Sequence, residues 1–70
     1  MRCRAVKIRL NGAERETGAG SIAQLLEELG LPRQTVLVEQ NGEAPHREEW
    51  HARPLCEGHV IELLRVAPGG

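Results

Sequence analysis

Seventy residues bound the chain to one small domain, and an apolar share of 40% is enough for a single modest core and too high for a disordered segment. Nine Lys and Arg against ten acidic residues leave a net charge of −1, without the basic face a nucleic-acid binder needs. No apolar run approaches the ~20 residues of a membrane span, and Met1-Arg2-Cys3-Arg4 lacks a signal peptide's apolar region, so a cytoplasmic protein with no nucleic-acid or membrane partner is expected.

In chain order, residues 4–10 alternate. Val6, Ile8 and Leu10 share one face and Lys7 and Arg9 the other, the period of a half-buried strand. Asn11-Gly12 is a strong hairpin signal, because both residue types tolerate positive φ. Residues 13–17 should return as a polar second strand suited to a sheet edge. Gly18-Ala19-Gly20 breaks the sheet and a helix follows. Ser21 is its N-cap and Gln24 completes a capping box. Ile22, Leu25, Leu26 and Leu29 make one buried stripe, with Gln24, Glu27 and Glu28 outward. Gly30 stands at the C′ position and Pro32 just beyond.

Residues 35–40 read as a third strand and Asn41-Gly42 as another tight turn. Glu43-Ala44 reads as a short strand limited by Pro45. Arg47-Glu48-Glu49-Trp50 suggests one helical or 3₁₀ turn, with Trp50, the only aromatic residue, as a core plug rather than a ligand-stacking ring. Glu57-Gly58 makes a turn, and residues 60–66 form a last, largely apolar strand. One amphipathic helix must then cover one face of a mixed sheet of four to five strands, a two-layer α+β domain. A first hairpin joined through a helix to a last strand suits a β-grasp, with the first and last strands parallel at the centre. Residues 1–66 make the domain and 67–70 a flexible tail.

A chain this short has little room for a ligand pocket of about 300–1,000 Å³, so an autonomous enzyme is not expected. Cys56 and His59 form a Cys-x-x-His half site to which Cys3 could add a ligand, but structural zinc wants two close pairs and the second is missing, so no metal site is expected. Cys3 and Cys56 can form at most one disulfide, and a cytoplasmic chain keeps them reduced. A β-grasp places them ahead of two neighbouring parallel strands at one sheet end, which allows them to approach.

The carboxyl end carries the chemistry. The chain passes from an apolar strand to Gly69-Gly70 within four residues, and from Val66 the tip reaches at most about 13–14 Å. Without side chains, the two glycines can enter a slot too narrow for other residues. The ionised α-carboxylate of Gly70 resists nucleophilic attack until it carries a leaving group. Its attack on the α-phosphorus of ATP would supply one. That step needs cationic phosphate clamps, and the sequence has no Gly-rich phosphate loop, so the activating site should belong to a partner.

The whole chain resembles the thiamine-biosynthesis sulfur-carrier family of ubiquitin-like β-grasp proteins. The resemblance runs through Ser21 to Leu29, Val36 to Glu43 with its Asn41-Gly42, Arg47-Glu48-Glu49-Trp50, Pro54-Leu55, Gly58, Ile61 to Arg65 and Gly69-Gly70. It implies that an adenylyltransferase resembling the ubiquitin-activating class adenylates Gly70. A persulfide sulfur derived from a cysteine desulfurase then displaces AMP to leave a thiocarboxylate, and thiazole synthase takes that sulfur for thiamine. Ala67, Pro68 and Gly69 would be read by the partner slot, and no cofactor is implied. The chain departs from the family's usual pattern at Pro45-His46, at Glu57 and His59 around Gly58, and at Pro68. The alternatives are a sulfur carrier for molybdopterin synthesis, a ubiquitin-like modifier, or an interaction module.

Strand parity places the docking surface. With Val6, Ile8, Leu10, Val36, Val38, Ile61 and Leu63 toward the helix, the other face carries Lys7, Arg9, Leu37, Glu39, Glu62, Leu64 and Val66. Leu37, Leu64 and Val66 would then be uncovered apolar residues beside the tail, suited to partner docking. Arg65 reads as a solvated strand residue.

Overall fold

The computed structural model describes residues 5–66. Strands β1 (Val6–Leu10), β2 (Ala13–Thr17), β3 (Val36–Gln40) and β4 (Val60–Arg65) form one mixed sheet in the order β2-β1-β4-β3. The helix α1 (Ile22–Leu29) follows the first hairpin, and 3₁₀ turns cover Arg33–Thr35 and Arg47–Ala52. β1 and β4 run parallel at the centre while both outer pairs are antiparallel. β2 takes the polar edge position that its composition requires. Among the described residues there are four strands. Glu43 makes only an isolated bridge back to Gln40 and the chain then leaves the sheet, so the short strand expected at Glu43-Ala44 does not form. Among the described residues, no helix is long and apolar enough to cross a membrane.

The helix is bounded as its sequence dictates. Ser21 Oγ accepts from the Gln24 N–H at 3.2 Å, and Gly30 ends the last turn at φ 73°, a left-handed conformation that glycine adopts without strain. The return arm of the cap differs from the expected box: Gln24 Oε1 accepts from the Gly20 N–H at 2.7 Å, one residue before the N-cap. Ile22, Leu25 and Leu26 are fully buried, each worth about 1.5–3 kcal/mol of transfer free energy. They meet Val6, Ile8, Val36, Val38 and Ile61 from the sheet, with Leu55 and Trp50 closing the core. On the outward side, the Thr17 hydroxyl and then Arg15 hold the Glu28 carboxyl below its ordinary pKa.

Both Asn-Gly pairs form two-residue hairpin turns with positive φ at each position, 50° and 85° at Asn11-Gly12 and 53° and 86° at Asn41-Gly42. The asparagines have a second role that turn propensity does not predict. Asn11 Oδ1 accepts from the Leu63 N–H at 2.7 Å, and Asn41 Oδ1 accepts from the Val60 N–H at 2.8 Å. Each side chain thereby extends a ladder of β4 past the end of its neighbouring strand, satisfying a donor that would otherwise lack a backbone partner. Asn11→Gly keeps the turn conformation but removes the acceptor, and is expected to lower the melting temperature by about 4–8 °C, the equivalent of one net hydrogen bond in a domain this size. Asn11→Asp keeps an acceptor and should lose much less; equal losses in the two variants, read by circular dichroism, would refute this role.

Candidate docking face

The parity expected from the strands is the parity of the structure. Val6, Ile8, Val36, Val38 and Ile61 are buried beneath the helix, with Leu10 and Leu63 half-buried on the same side. Lys7, Arg9, Leu37, Glu39, Glu62 and Leu64 are exposed on the uncovered face. Leu37 is 49% exposed and Leu64 62%, and the antiparallel register sets them directly opposite each other. Glu39 and Glu62 form the next outward-facing pair along the same two strands.

This face is concave at its β3 edge. A groove of about 470 Å³ runs from Leu64 and Glu62 across Leu37 and Glu39 to Pro45 and Arg47. The far wall is fixed by Arg47, whose Nε donates to Arg33 O at 2.8 Å and whose Nη2 donates to Gln34 O at 3.1 Å. Its guanidinium also lies 5.7 Å from the centre of the Trp50 ring. Arg47 therefore ties the 3₁₀ turn to the segment that enters β3. Trp50 Nε1 donates to Pro45 O at 3.2 Å, which satisfies the one polar atom of its side chain. Trp50 is buried, the core plug expected, and it anchors the groove wall from beneath.

Val66 lies two residues beyond Leu64 and is half-buried rather than uncovered; its N–H donates to Thr35 O at 2.8 Å, so the chain is held to the sheet up to this residue. Arg65 is exposed and forms no ion pair with a described residue. Ala67, Pro68, Gly69 and Gly70 lie outside the described residues, as does Cys3. The Cys56–His59 spacing serves a turn: His59 Nδ1 lies 3.4 Å from the Cys56 backbone nitrogen and 3.3 Å from Gln40 Nε2. Cys56 is half-buried at this turn, and the Cys3–Cys56 approach considered from the sequence lies outside the described residues. Among the described residues, no three His, Cys, Asp or Glu side chains are grouped to hold a metal ion. Gly58, at φ 85°, donates its N–H to Lys7 O, and Glu57 Oε1 accepts from the Lys7 N–H at 3.0 Å, so the loop before β4 is pinned to β1. The Glu57 side chain is thus an acceptor for a backbone N–H of β1.

Comparison with known proteins places this arrangement. A family model described as the ThiS family matches residues 8–70, nearly the whole chain. The chain belongs to the ThiS family. Two curated ThiS proteins are similar to it, both named sulfur carrier protein ThiS. The one from Bacillus subtilis is 34% identical over 65 residues, covering 90% of this chain and 98% of its own length. The one from Thermus thermophilus is 36% identical over 61 residues, covering 87% and 95%. The crystal structure of the thiamine biosynthesis protein ThiS from Geobacter metallireducens superposes with a TM-score of 0.76 at 32% identity, over 93% of this chain and all of that one. The solution structure of a thiamine biosynthesis protein from the same organism gives a TM-score of 0.74 at the same identity, covering 93% and 88%. The fold is therefore the ubiquitin-like β-grasp of ThiS, with the uncovered β4–β3 face as its most exposed apolar feature among the described residues.

Glu39 and Glu62 are the residues of this face least visible in the sequence. Parity puts both on the outer side, but their direct opposition depends on the pairing register of two strands that are distant in the chain.

Proposed function

We propose that this chain is a sulfur carrier of thiamine biosynthesis and that Gly70 is the group that carries the sulfur. The carrying observation is the ThiS match, which spans the fold and runs through Gly69-Gly70. A carboxylate oxygen of Gly70 attacks the α-phosphorus of ATP in a partner adenylyltransferase, and pyrophosphate leaves. The terminal sulfur of a persulfide, derived from a cysteine desulfurase, attacks the acyl carbon and AMP leaves. A thiol then cleaves the S–S bond, ending as a disulfide, and the thiocarboxylate remains on Gly70. Thiazole synthase takes that sulfur. The chain is a co-substrate throughout, and ATP's phosphates are stabilised by the partner's cations.

The exposed Leu37–Leu64 pair on the β4–β3 face supports this reading. Leu37 and Leu64 lie together where β4 leaves the sheet, and Val66 continues from them toward the tail. A partner that covers this pair needs its active site within about 14 Å of Val66, the farthest that the four residues Ala67, Pro68, Gly69 and Gly70 can reach. The test is intact-mass analysis after incubation with ATP, the adenylyltransferase and a persulfide donor. The full chain should gain the mass difference of one oxygen exchanged for sulfur, and deletion of Gly70 should abolish that gain without changing the melting temperature. A truncated chain that still accepts sulfur overturns the proposal. Isopeptide adducts on lysines of other proteins would instead establish a modifier.

A further inference from the structure

The two glutamates on the docking face are costly as they stand. Directly opposed residues on an antiparallel pair have Cβ atoms about 4.5–5.5 Å apart, and like charges there are destabilising. Glu39 and Glu62 are opposed in this way and both are exposed. Neither forms an ion pair with a described residue, whereas Glu28 pairs with Arg15 and Glu43 with Arg53. The nearest strand cation on this face, Arg9, is paired in register with Val60 and donates to Gly12 O at 3.3 Å. Arg47, across the groove, is held by the carbonyls of Arg33 and Gln34. Beside this acidic row lies the exposed Leu37–Leu64 row, a second unfavourable feature of the isolated chain.

One occupant relieves both. We propose that the adenylating partner seats a lysine or arginine between the Glu39 and Glu62 carboxylates while its adjacent apolar side chains cover Leu37 and Leu64. The partner's contact surface is thus a single cation flanked by apolar residues, complementary in charge and in hydrophobicity to two neighbouring rows of this face. Two carboxylates are too few to cage a metal ion, and a second copy of this chain docked row on row would set Glu39 and Glu62 against the same glutamates of the other copy. The inference rests on the carrier reading above and specifies the surface through which that reading works.

The test measures the KM for the carrier in ATP–pyrophosphate exchange catalysed by the adenylyltransferase. Glu39→Gln/Glu62→Gln should raise KM by about 10–100-fold, while kcat at saturating carrier stays within about twofold. Wild-type KM should rise with ionic strength, and the double variant should lose most of that dependence. Glu14→Gln/Glu16→Gln on β2 changes the net charge equally and should leave KM within about twofold. The melting temperature of Glu39→Gln/Glu62→Gln at low salt should equal or exceed that of the wild type. An unchanged KM, an equal effect of the β2 variant, or a lower melting temperature overturns the inference. In those cases the carrier reading stands, because the wild type is still adenylated and the Gly70 deletion is not. A wild type that is never adenylated overturns both.

Discussion

Trp50→Ala is expected to remove about half of the stability of this domain. Trp50 is 2% exposed and belongs to the one core cluster, so truncation opens a large cavity at a typical cost of about 3–5 kcal/mol. A chain of this length has roughly 4–10 kcal/mol of stability in total. Two further contacts go with the ring. Pro45 O loses the indole donor, and the Arg47 guanidinium loses the aromatic surface beside it. Thermal denaturation followed by far-ultraviolet circular dichroism should show a fall of about 15 °C or more, or no cooperative transition. Trp50→Phe keeps most of the volume and removes the N–H, so it should retain a transition several degrees below the wild type. A Trp50→Ala variant that melts within a few degrees of the wild type would remove Trp50 from the core and return it to the alternative of a ligand-stacking ring.

That position shows what kind of information the sequence holds. Trp50 is legible as a core plug because a lone large aromatic after an irregular segment has few other places to go. The helix is legible from a local code: Ser21 ahead of Ile22, the spacing of Leu25, Leu26 and Leu29, and Gly30 behind. Both hairpin turns and the two faces of each strand follow from patterns a few residues long. The contacts that escape such patterns are those in which a side chain leaves its own element. Asn11 reaches Leu63 across 52 positions, Glu57 reaches Lys7 across 50, and Arg47 reaches back to the carbonyls before β3. Each satisfies a backbone group left over where a strand or turn ends, and the need for it exists only once the neighbouring element is in place. The strand expected at Glu43-Ala44 fails for the related reason that strand propensity does not specify a partner. The bridge to Gln40 closes the Asn41-Gly42 turn, and Pro45 then carries the chain to the Trp50 indole.

The same reasoning separates two kinds of apolar residue in the chain, and Leu37→Ala/Leu64→Ala should show the opposite signature from Trp50→Ala. Both leucines are large and apolar, yet each already leaves about half or more of its surface in water, so truncation creates no enclosed cavity. What the fold loses is one cross-strand pair, worth about 0.2–1 kcal/mol, and the melting temperature should fall by no more than about 8 °C. Adenylation should respond far more. An apolar pair at the centre of a docking face behaves as an anchor, and its removal should raise the carrier's KM by about 30–100-fold with little change in kcat. Because the proposed contact lies on the sheet and the proposed reaction at Gly70, the loss is one of binding, so raising the carrier concentration should restore the rate. A fall in melting temperature well beyond that limit would mean that the pair is packed rather than exposed. An unchanged KM with a stable fold would mean that the partner approaches from another side, and would leave the tail alone as the element it recognises.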